Sequence, residues 1–329
     1  MSRLRFGVVG CGAISTLHHL PALQRCPDVE LVAVVDADES WAGSVARRFG
    51  ASESFADHRA LIGRVDAVLV ATPNHTHAGI TCDLLMGGVH VLCEKPMATT
   101  RAEVDRMLDA AARSGSRLMP AHCLRFSPNL AMLKQIVVAG WLGGVIEMSG
   151  GIGGPYEASA RRTDFRRQKH LAGGGVLVDL GIHLIDLAVW LAGSAPAEVA
   201  YDEARASGWE VETDAEVGLG FAGGARALLT ASFTQPQSAS FTVRGQHGWA
   251  TASLYQPDQL AVFSTAARIC RRDGLQHLQV TGAPMYDQQL AHFSAALRSG
   301  DAFLVQADEV RATIDIIERC YQRPAAHAA

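Results

Sequence analysis

The chain has 329 residues, is 48% hydrophobic and carries a formal net charge of −4 at pH 7. That length exceeds what one core usually supports, so two domains are expected, and a mildly negative chain without a long basic run excludes a dedicated nucleic-acid or membrane-surface binder. No stretch of 18 or more apolar residues reads as a membrane span, and the opening MSRLRFGVVGCG runs into a strand without the regions of a signal peptide, so a cytoplasmic protein handling a small molecule is expected.

The first third alternates apolar strand patterns with amphipathic helical ones, the signature of a parallel sheet flanked by helices. A strand over Leu4–Val9 leads into Gly10-Cys11-Gly12-Ala13-Ile14-Ser15 and a helix over Ile14–Arg25, which Pro21 should kink or interrupt. Glycine at the end of a first strand lets the backbone approach a pyrophosphate, which the helix N-terminus attracts. Ser15 stands where the third glycine of G-x-G-x-x-G would be, so context must support the motif. The second strand, Leu31–Val35, supplies it by ending in Asp36, a carboxylate placed to accept the ribose hydroxyls of NAD and to repel the 2′-phosphate of NADP. After a helix over Glu39–Phe49, a third strand (Val65–Ala71) ends in Ala71-Thr72-Pro73-Asn74-His75-x-His77, polar groups at the sheet edge where ligands bind. His75 and His77 have no third metal ligand nearby and read as helix-capping and cofactor-contacting residues.

A helix over His77–Met86 precedes a strand over Val89–Cys93, which delivers Glu94-Lys95-Pro96 to the same edge. Only three of the 29 basic residues are lysines, Lys95, Lys134 and Lys169. Arginine cannot deprotonate and lysine can, so a rare lysine here points to proton or alkoxide chemistry rather than a surface ion pair with Glu94. A cis Lys95–Pro96 bond is one way to aim the amine. Thr100 and Glu103 form a capping box for a helix over Arg101–Arg113, and a strand over Leu118–Ala121 completes the set.

From Phe126 the texture changes. A helix to Val138, a strand near Val145–Ser149, an Arg-rich stretch at 161–170 and a Gly173-Gly174-Gly175 turn precede a long run of antiparallel strand patterns between 198 and 264. Helices over Asp287–Arg298 and Ala307–Tyr321 close the chain. This is an α/β protein with a dinucleotide-binding domain at 1–123 and an α+β domain at 124–329. Seven scattered cysteines without a C-x-x-C pair favour reduced thiols.

The helix after the glycines, GGGVLVDLGIHLIDLAVWL, is apolar nearly all round yet carries Asp179, His183 and Asp186. At about 100° per residue the three fall within an arc of ~60°. A buried carboxylate or imidazole costs several kcal/mol without a partner, so the stripe must meet one. Asp179 and His183 could pair only with each other, or chelate zinc with His122. Three first-shell metal ligands are not evident, so no metal is expected.

Together, Gly10-x-Gly12-x-x-Ser15, Asp36, Ala71-Thr72-Pro73-Asn74-x-x-His77, Glu94-Lys95-Pro96 and Gly173-Gly174-Gly175 followed by Asp179-x-x-x-His183 resemble the glucose-fructose oxidoreductase, inositol dehydrogenase and rhizopine catabolism family, Gfo/Idh/MocA. The resemblance implies an N-terminal Rossmann doubly wound sheet and a C-terminal α+β domain with an open, mostly antiparallel sheet whose free face mediates homodimer or homotetramer contacts. It implies hydride transfer between a hydroxyl carbon of a sugar or cyclitol and NAD, NADP being less expected. The Asp and His pairing looks like the inositol dehydrogenase branch, since sugar ketoreductases of the family often carry Tyr in place of His183. The implied catalytic residues are Lys95, Asp179 and His183, with His183 taking the hydroxyl proton and Lys95 stabilising the alkoxide; Asp186 would tie the helix down. The expected cofactor residues are Gly10, Cys11, Gly12, Ala13, Ile14, Asp36, Ala71, Thr72, Asn74, His77, Glu94 and Lys95, and Arg125 joins Asp179 and His183 as a substrate contact. Two alternatives are an NADP(H)-dependent ketoreductase of phosphorylated or nucleotide-linked sugars, for which Arg162, Arg166 and Arg167 are candidate anion contacts, and a non-catalytic NAD-binding regulator.

Overall fold

Strands whose residues are apolar on both faces must be covered on both, and this is how the first half of the chain is built. In the computed structural model, which describes residues 3–156, 164–266 and 275–322, β1 (Leu4–Val9), β2 (Val29–Val35), β3 (Glu53–Phe55), β4 (Ala67–Val70), β5 (His90–Glu94) and β6 (Leu118–Ala121) form one parallel sheet. Its order is β3-β2-β1-β4-β5-β6, the doubly wound arrangement in which ligands bind beyond the carboxyl ends of the strands. The intervening helices are α1 (Leu20–Arg25), α2 (Glu39–Phe49), α3 (His77–Met86) and α4 (Arg101–Ser114). A π-helical turn over Ser15–His19 runs directly into α1, so the regular helix is interrupted just before Pro21, which sits in the first turn of α1. Sequence patterning missed β3, an edge strand of three partly buried residues too short to show a period.

The second half begins with α5 (Pro128–Val138) and β7 (Val145–Gly153). After α6 (Lys169–Ala172) and α7 (Ile182–Ala192) come β8 (Glu198–Ala204), β9 (Asp214–Gly220), β10 (Arg226–Ser232), β11 (Ser240–Gly245), β12 (Gly248–Ser253), β13 (Gln259–Ser264) and β14 (Gln276–Gln279). These make an eight-stranded sheet of order β14-β13-β12-β11-β7-β10-β9-β8, antiparallel except where β7 meets β10. Burial alternates along its strands, as in β9, where Ala215, Val217 and Leu219 face the core. One face packs under α5, α7 and α9 (Ala307–Gln322); the other, where Leu228 is exposed, carries no helix among the described residues.

The halves interlock. Phe293 of α8 (Met285–Ser299) meets Phe6 of β1 edge to face at 6.2 Å, and Arg25 after the first glycine turn grips Asp287 through bonds of 2.8 and 2.6 Å. Helix α9 wedges between α4 and α7, with Arg311 on Asp105 at 2.9 Å and Glu318 accepting from the Arg101 amide at 2.8 Å. The chain therefore returns to its first sheet after building the second, so a division at residue 124 does not separate two independent cores. The helical run Lys169–Ala192 has the length and composition of a membrane span, contrary to the sequence expectation; 67% of its apolar window is buried inside the protein, where it serves as a core helix.

Candidate active site

The turn after β1 is shaped by contacts that only glycine permits. Gly10 has φ +96°, and a side chain there would strike the Ala71 carbonyl at 2.4 Å. A side chain on Gly12 would meet nothing within 4 Å, so this glycine leaves open space beside the backbone, which is what a close-approaching pyrophosphate needs. Ser15, in place of the third glycine, is fully buried and donates its hydroxyl to the Gly10 carbonyl at 2.5 Å, tightening the turn from inside. Asp36 accepts from the backbone amides of Cys11 (2.9 Å) and Asp38 (3.1 Å), which fixes its carboxylate at the end of β2. Trp41 closes the outer side, its indole donating to the Cys11 carbonyl at 2.8 Å.

A cleft of about 690 Å³ runs from this turn along the carboxyl edge of the sheet to Lys95 and Asp179, and every residue expected to contact the cofactor lines it. Two of these do so by shaping it. His77 is buried with both ring nitrogens 2.8 Å from backbone carbonyls, those of Pro96 and Thr72, so it has no polar atom left for a cofactor; burial lowers its pKa. Glu94 is also buried, accepting from His19 at 2.6 Å and from the Lys95 amide at 3.0 Å. Burial alone would raise the Glu94 pKa, but the His19 hydrogen bond and the charges of His19 and Lys95 outweigh it and hold the carboxyl below its ordinary range. The Asn74 amide donates to the Ala172 carbonyl at 2.8 Å, fastening the first domain's edge to α6.

Lys95 follows β5 on a cis bond to Pro96 and reaches across the cleft. Its ammonium donates to the Asp179 carbonyl at 2.5 Å and to the Asp179 carboxylate at 3.1 Å, so the surface ion pair with Glu94 is excluded. Asp179 does not pair with His183: its second oxygen lies 3.0 Å from Arg166 Nε, a charge contact. Burial would raise the Asp179 pKa, yet Lys95 and Arg166 hold it well below the carboxylate range. Asp179 lies in a π-helical turn, Leu177–Gly181, that precedes α7.

The glycines before that turn are demanded by packing. A side chain on Gly174 would lie 2.1 Å from the Tyr321 hydroxyl, and one on Gly175 would lie 2.0 Å from the Glu212 carbonyl. Buried Glu212, absent from the sequence reading, accepts from the amides of Gly175 and Leu177 at 2.9 and 3.0 Å and from Tyr321 at 2.7 Å. It caps the site helix from another strand's approach, and no local sequence signal marks it.

Three expectations change. Arg125 does not face the cleft: it is 1% exposed, forks onto Asp186 at 3.0 and 2.8 Å and reaches Glu309 at 2.8 Å, because a guanidinium buried among helices must be paired. His183 does not line the cleft; its ring is partly exposed and its Nδ1 is buried without a hydrogen-bond partner. Burial, then the charges of Lys95 and His122, lower its pKa to about 3, far from the unperturbed value assumed for a base near neutrality. In the basic stretch, Arg167 stacks on Trp209 at 4.8 Å and donates to the Gly208 carbonyl at 2.9 Å, while Arg162 lies outside the described residues. Among the described residues no group of three or more His, Cys, Asp or Glu side chains is arranged to hold a metal.

A doubly wound sheet with an open glycine turn facing Asp36, and a lysine held across the far end of the same cleft, defines a nicotinamide-dependent oxidoreductase acting on CH–OH groups. Comparison with known proteins gives the family. Residues 4–122 match an oxidoreductase family with an NAD-binding Rossmann fold, and residues 130–251 match the GFO/IDH/MocA C-terminal domain. The chain belongs to the Gfo/Idh/MocA family. It is 30% identical to the rhizopine catabolism protein MocA of Rhizobium meliloti over 86% of this chain and 89% of that protein. It is 29% identical to the myo-inositol 2-dehydrogenase of Thermotoga maritima over 69% of this chain and 67% of that one. Among solved structures, the aldose-aldose oxidoreductase from Caulobacter crescentus complexed with glycerol superposes with a TM-score of 0.89, at 25% identity over 98% of this chain and 97% of that one.

Proposed function

We propose that the protein is an NAD-dependent dehydrogenase oxidising one hydroxyl carbon of a sugar or cyclitol. The observation that carries this reading is Lys95, whose ammonium stands at the inner end of the cofactor cleft with two of its three donors engaged by Asp179. Among the described residues nothing takes the third donor, which leaves it to a substrate oxygen. The bound nicotinamide supplies the hydride acceptor. Lys95 would hold the reacting oxygen and stabilise negative charge as it develops there, a preorganised contribution of ~3 to 4 kcal/mol. Asp179, kept ionised by Lys95 and Arg166, would anchor Lys95 and accept a neighbouring hydroxyl. The family resemblance gives the hydroxyl proton to His183, whose ring is partly exposed and close enough to Lys95 for that charge to act on it, although it does not line the cleft and its lowered pKa makes it a weak base.

Asp36 supports NAD over NADP, because a carboxylate fixed by two backbone amides cannot swing away from a 2′-phosphate. The phosphorylated-sugar alternative loses support, since Arg166 already serves Asp179 and Arg167 is stacked on Trp209. The open sheet face, where Leu228, Trp249 and Phe263 lie among small residues such as Ser149, Thr242 and Thr251, suits pairing with a second copy. The test is a panel of inositols, hexoses, amino sugars and sugar phosphates with NAD and NADP, followed by reduced-cofactor absorbance. We expect turnover of an uncharged polyol with NAD, and loss of at least about a hundredfold in kcat for Lys95→Met with NADH affinity kept within a few fold. Full activity of Lys95→Met would refute the assignment, and NADH binding without turnover on any polyol would favour a regulator.

A further inference from the structure

A buried carboxylate needs an opposite charge or several donors, and the one at the inner end of the cleft does not use the lysine next to it. Glu94 precedes Lys95 and lines the cleft, yet the Lys95 ammonium goes to Asp179. The two oxygens of Glu94 are divided between other donors. Oε2 accepts from the Lys95 amide at 3.0 Å, and Oε1 accepts from His19 Nε2 at 2.6 Å. His19 stands 75 residues earlier, at the end of the π-helical turn that follows the glycine turn, and is 4% exposed. The Tyr286 ring of α8 meets its imidazole edge to face at 5.0 Å and stacks on the neighbouring His18 at 4.7 Å, so the second half of the chain holds both rings in place.

We infer that His19 is a positioning residue for Lys95 and acts through Glu94: it keeps the Glu94 carboxylate charged and oriented, and that carboxylate fixes the backbone from which the ammonium is aimed. The inference rests on the reading of Lys95 as the group that meets the reacting oxygen. Burial alone would raise the Glu94 pKa, and the His19 hydrogen bond is the largest of the effects that lower it. The other titratable and charged groups that act on Glu94 are Lys95 beside it, His18 from the π-turn, His77 from α3, His183 from α7, Tyr286 from α8 and the thiols of Cys93 and Cys123. Among the described residues, only His19 donates to this carboxylate from a side chain. Without that donor burial dominates, and burial can raise a carboxyl pKa by up to about 3 to 5. A protonated Glu94 offers the Lys95 amide a neutral acceptor in place of a charged one, and the grip on the Lys95 backbone loosens.

The test is the pH dependence of kcat for the native protein, for His19→Gln, which keeps an N–H donor without the ring, and for His19→Leu, which removes it. In His19→Leu we expect the acid limb of the profile to move into the neutral range, so that kcat at pH 6 falls at least about tenfold below kcat at pH 9, a drop the native profile lacks. His19→Gln should move the limb in the same direction by a smaller amount. Adding Glu94→Gln to His19→Leu removes the titrating carboxyl and should abolish the new limb. A His19→Leu profile that superposes on the native one overturns the inference, and so does a shifted limb that persists in the double variant, because the titrating group is then not Glu94. If His19→Leu does not fold, His19→Gln decides alone, and an acid limb identical to the native one overturns the inference. If Lys95→Met is inactive while both His19 variants keep the native profile, only the positioning role fails; if Lys95→Met turns over normally, the reading of Lys95 fails with it.

Discussion

A single side chain in this protein is interpretable only through what it leaves free. Lys95 was legible in the sequence because lysine is scarce here and sits at a strand's carboxyl edge, yet the partner that aims it, Asp179, lies 84 residues away and appears only on folding. Arg125 was misread for the same reason, since a lone arginine after a strand looks like an anion contact until Asp186 is found on it. Asp36 was read from its spacing alone, and its two amide bonds explain why it is rigid. Asp36→Ser is expected to raise the ratio of NADP to NAD efficiency by more than about tenfold, by removing fixed charge opposite the 2′ position. Measured kcat/KM values with both cofactors decide it, and an unmoved ratio would mean another group sets the preference.

Elements bounded by clear local signals were legible from the sequence: α2 and α3 run over the residues expected of them, and β1 and β6 likewise. Departures fall where hydrogen bonding leaves the regular pattern. Both site-facing helices begin with a π-helical turn, and the apolar period that identifies a helix carries no trace of one. In the second of these, Asp179 faces Lys95, while Asp186, about two turns further on, faces Arg125. The start of that helix depends on Glu212, whose carboxylate receives two amides and a phenol. Glu212→Ala strips partners from buried donors and is expected to destabilise the protein by about 1–3 kcal/mol. Denaturant unfolding monitored by circular dichroism reads this, and a midpoint equal to that of the native protein would show that water replaces the cap.

At the scale of the molecule, the packed halves bury charges along with apolar side chains, and the charges set the response to pH. Asp179 and Asp186 are both held far below the ordinary carboxylate range: burial opposes this, but Lys95 and Arg166 act on the first, and His122 and Arg125 on the second. A depressed carboxyl stabilises the fold above its unfolded pKa, and that stability is lost as pH falls through the folded one. His183 acts in the same direction, because between its ordinary value of 6.5 and about 3 the unfolded chain binds a proton that the folded ring refuses. The melting temperature should therefore hold between pH 7 and 8, decline from about 6.5 downward, and drop further once carboxyls protonate below about 4. Calorimetry of His183→Asn should show a shallower first decline, the remainder belonging to buried His77 and the other histidines whose pKa burial lowers, and keep the second. A variant that follows the native curve throughout would show that other histidines carry the effect.

The sequence by itself determined the order of elements, the glycine turn, the acid at the end of the second strand and the lysine at the end of the fifth, because each depends on neighbours within one strand–turn–helix unit. It also carried the family resemblance, which rests on short motifs. Only the tertiary structure decided which charges meet: that Asp179 serves Lys95 and Arg166, that Arg125 is sealed against Asp186, that Glu212 caps a helix 37 residues before it, and that α8 and α9 return to cover the first sheet. The physical reason is range. A hydrogen-bonded turn is specified by adjacent residues, whereas the pairing of a buried charge is chosen by whichever opposite charge the packed helices bring within about 3 Å of it.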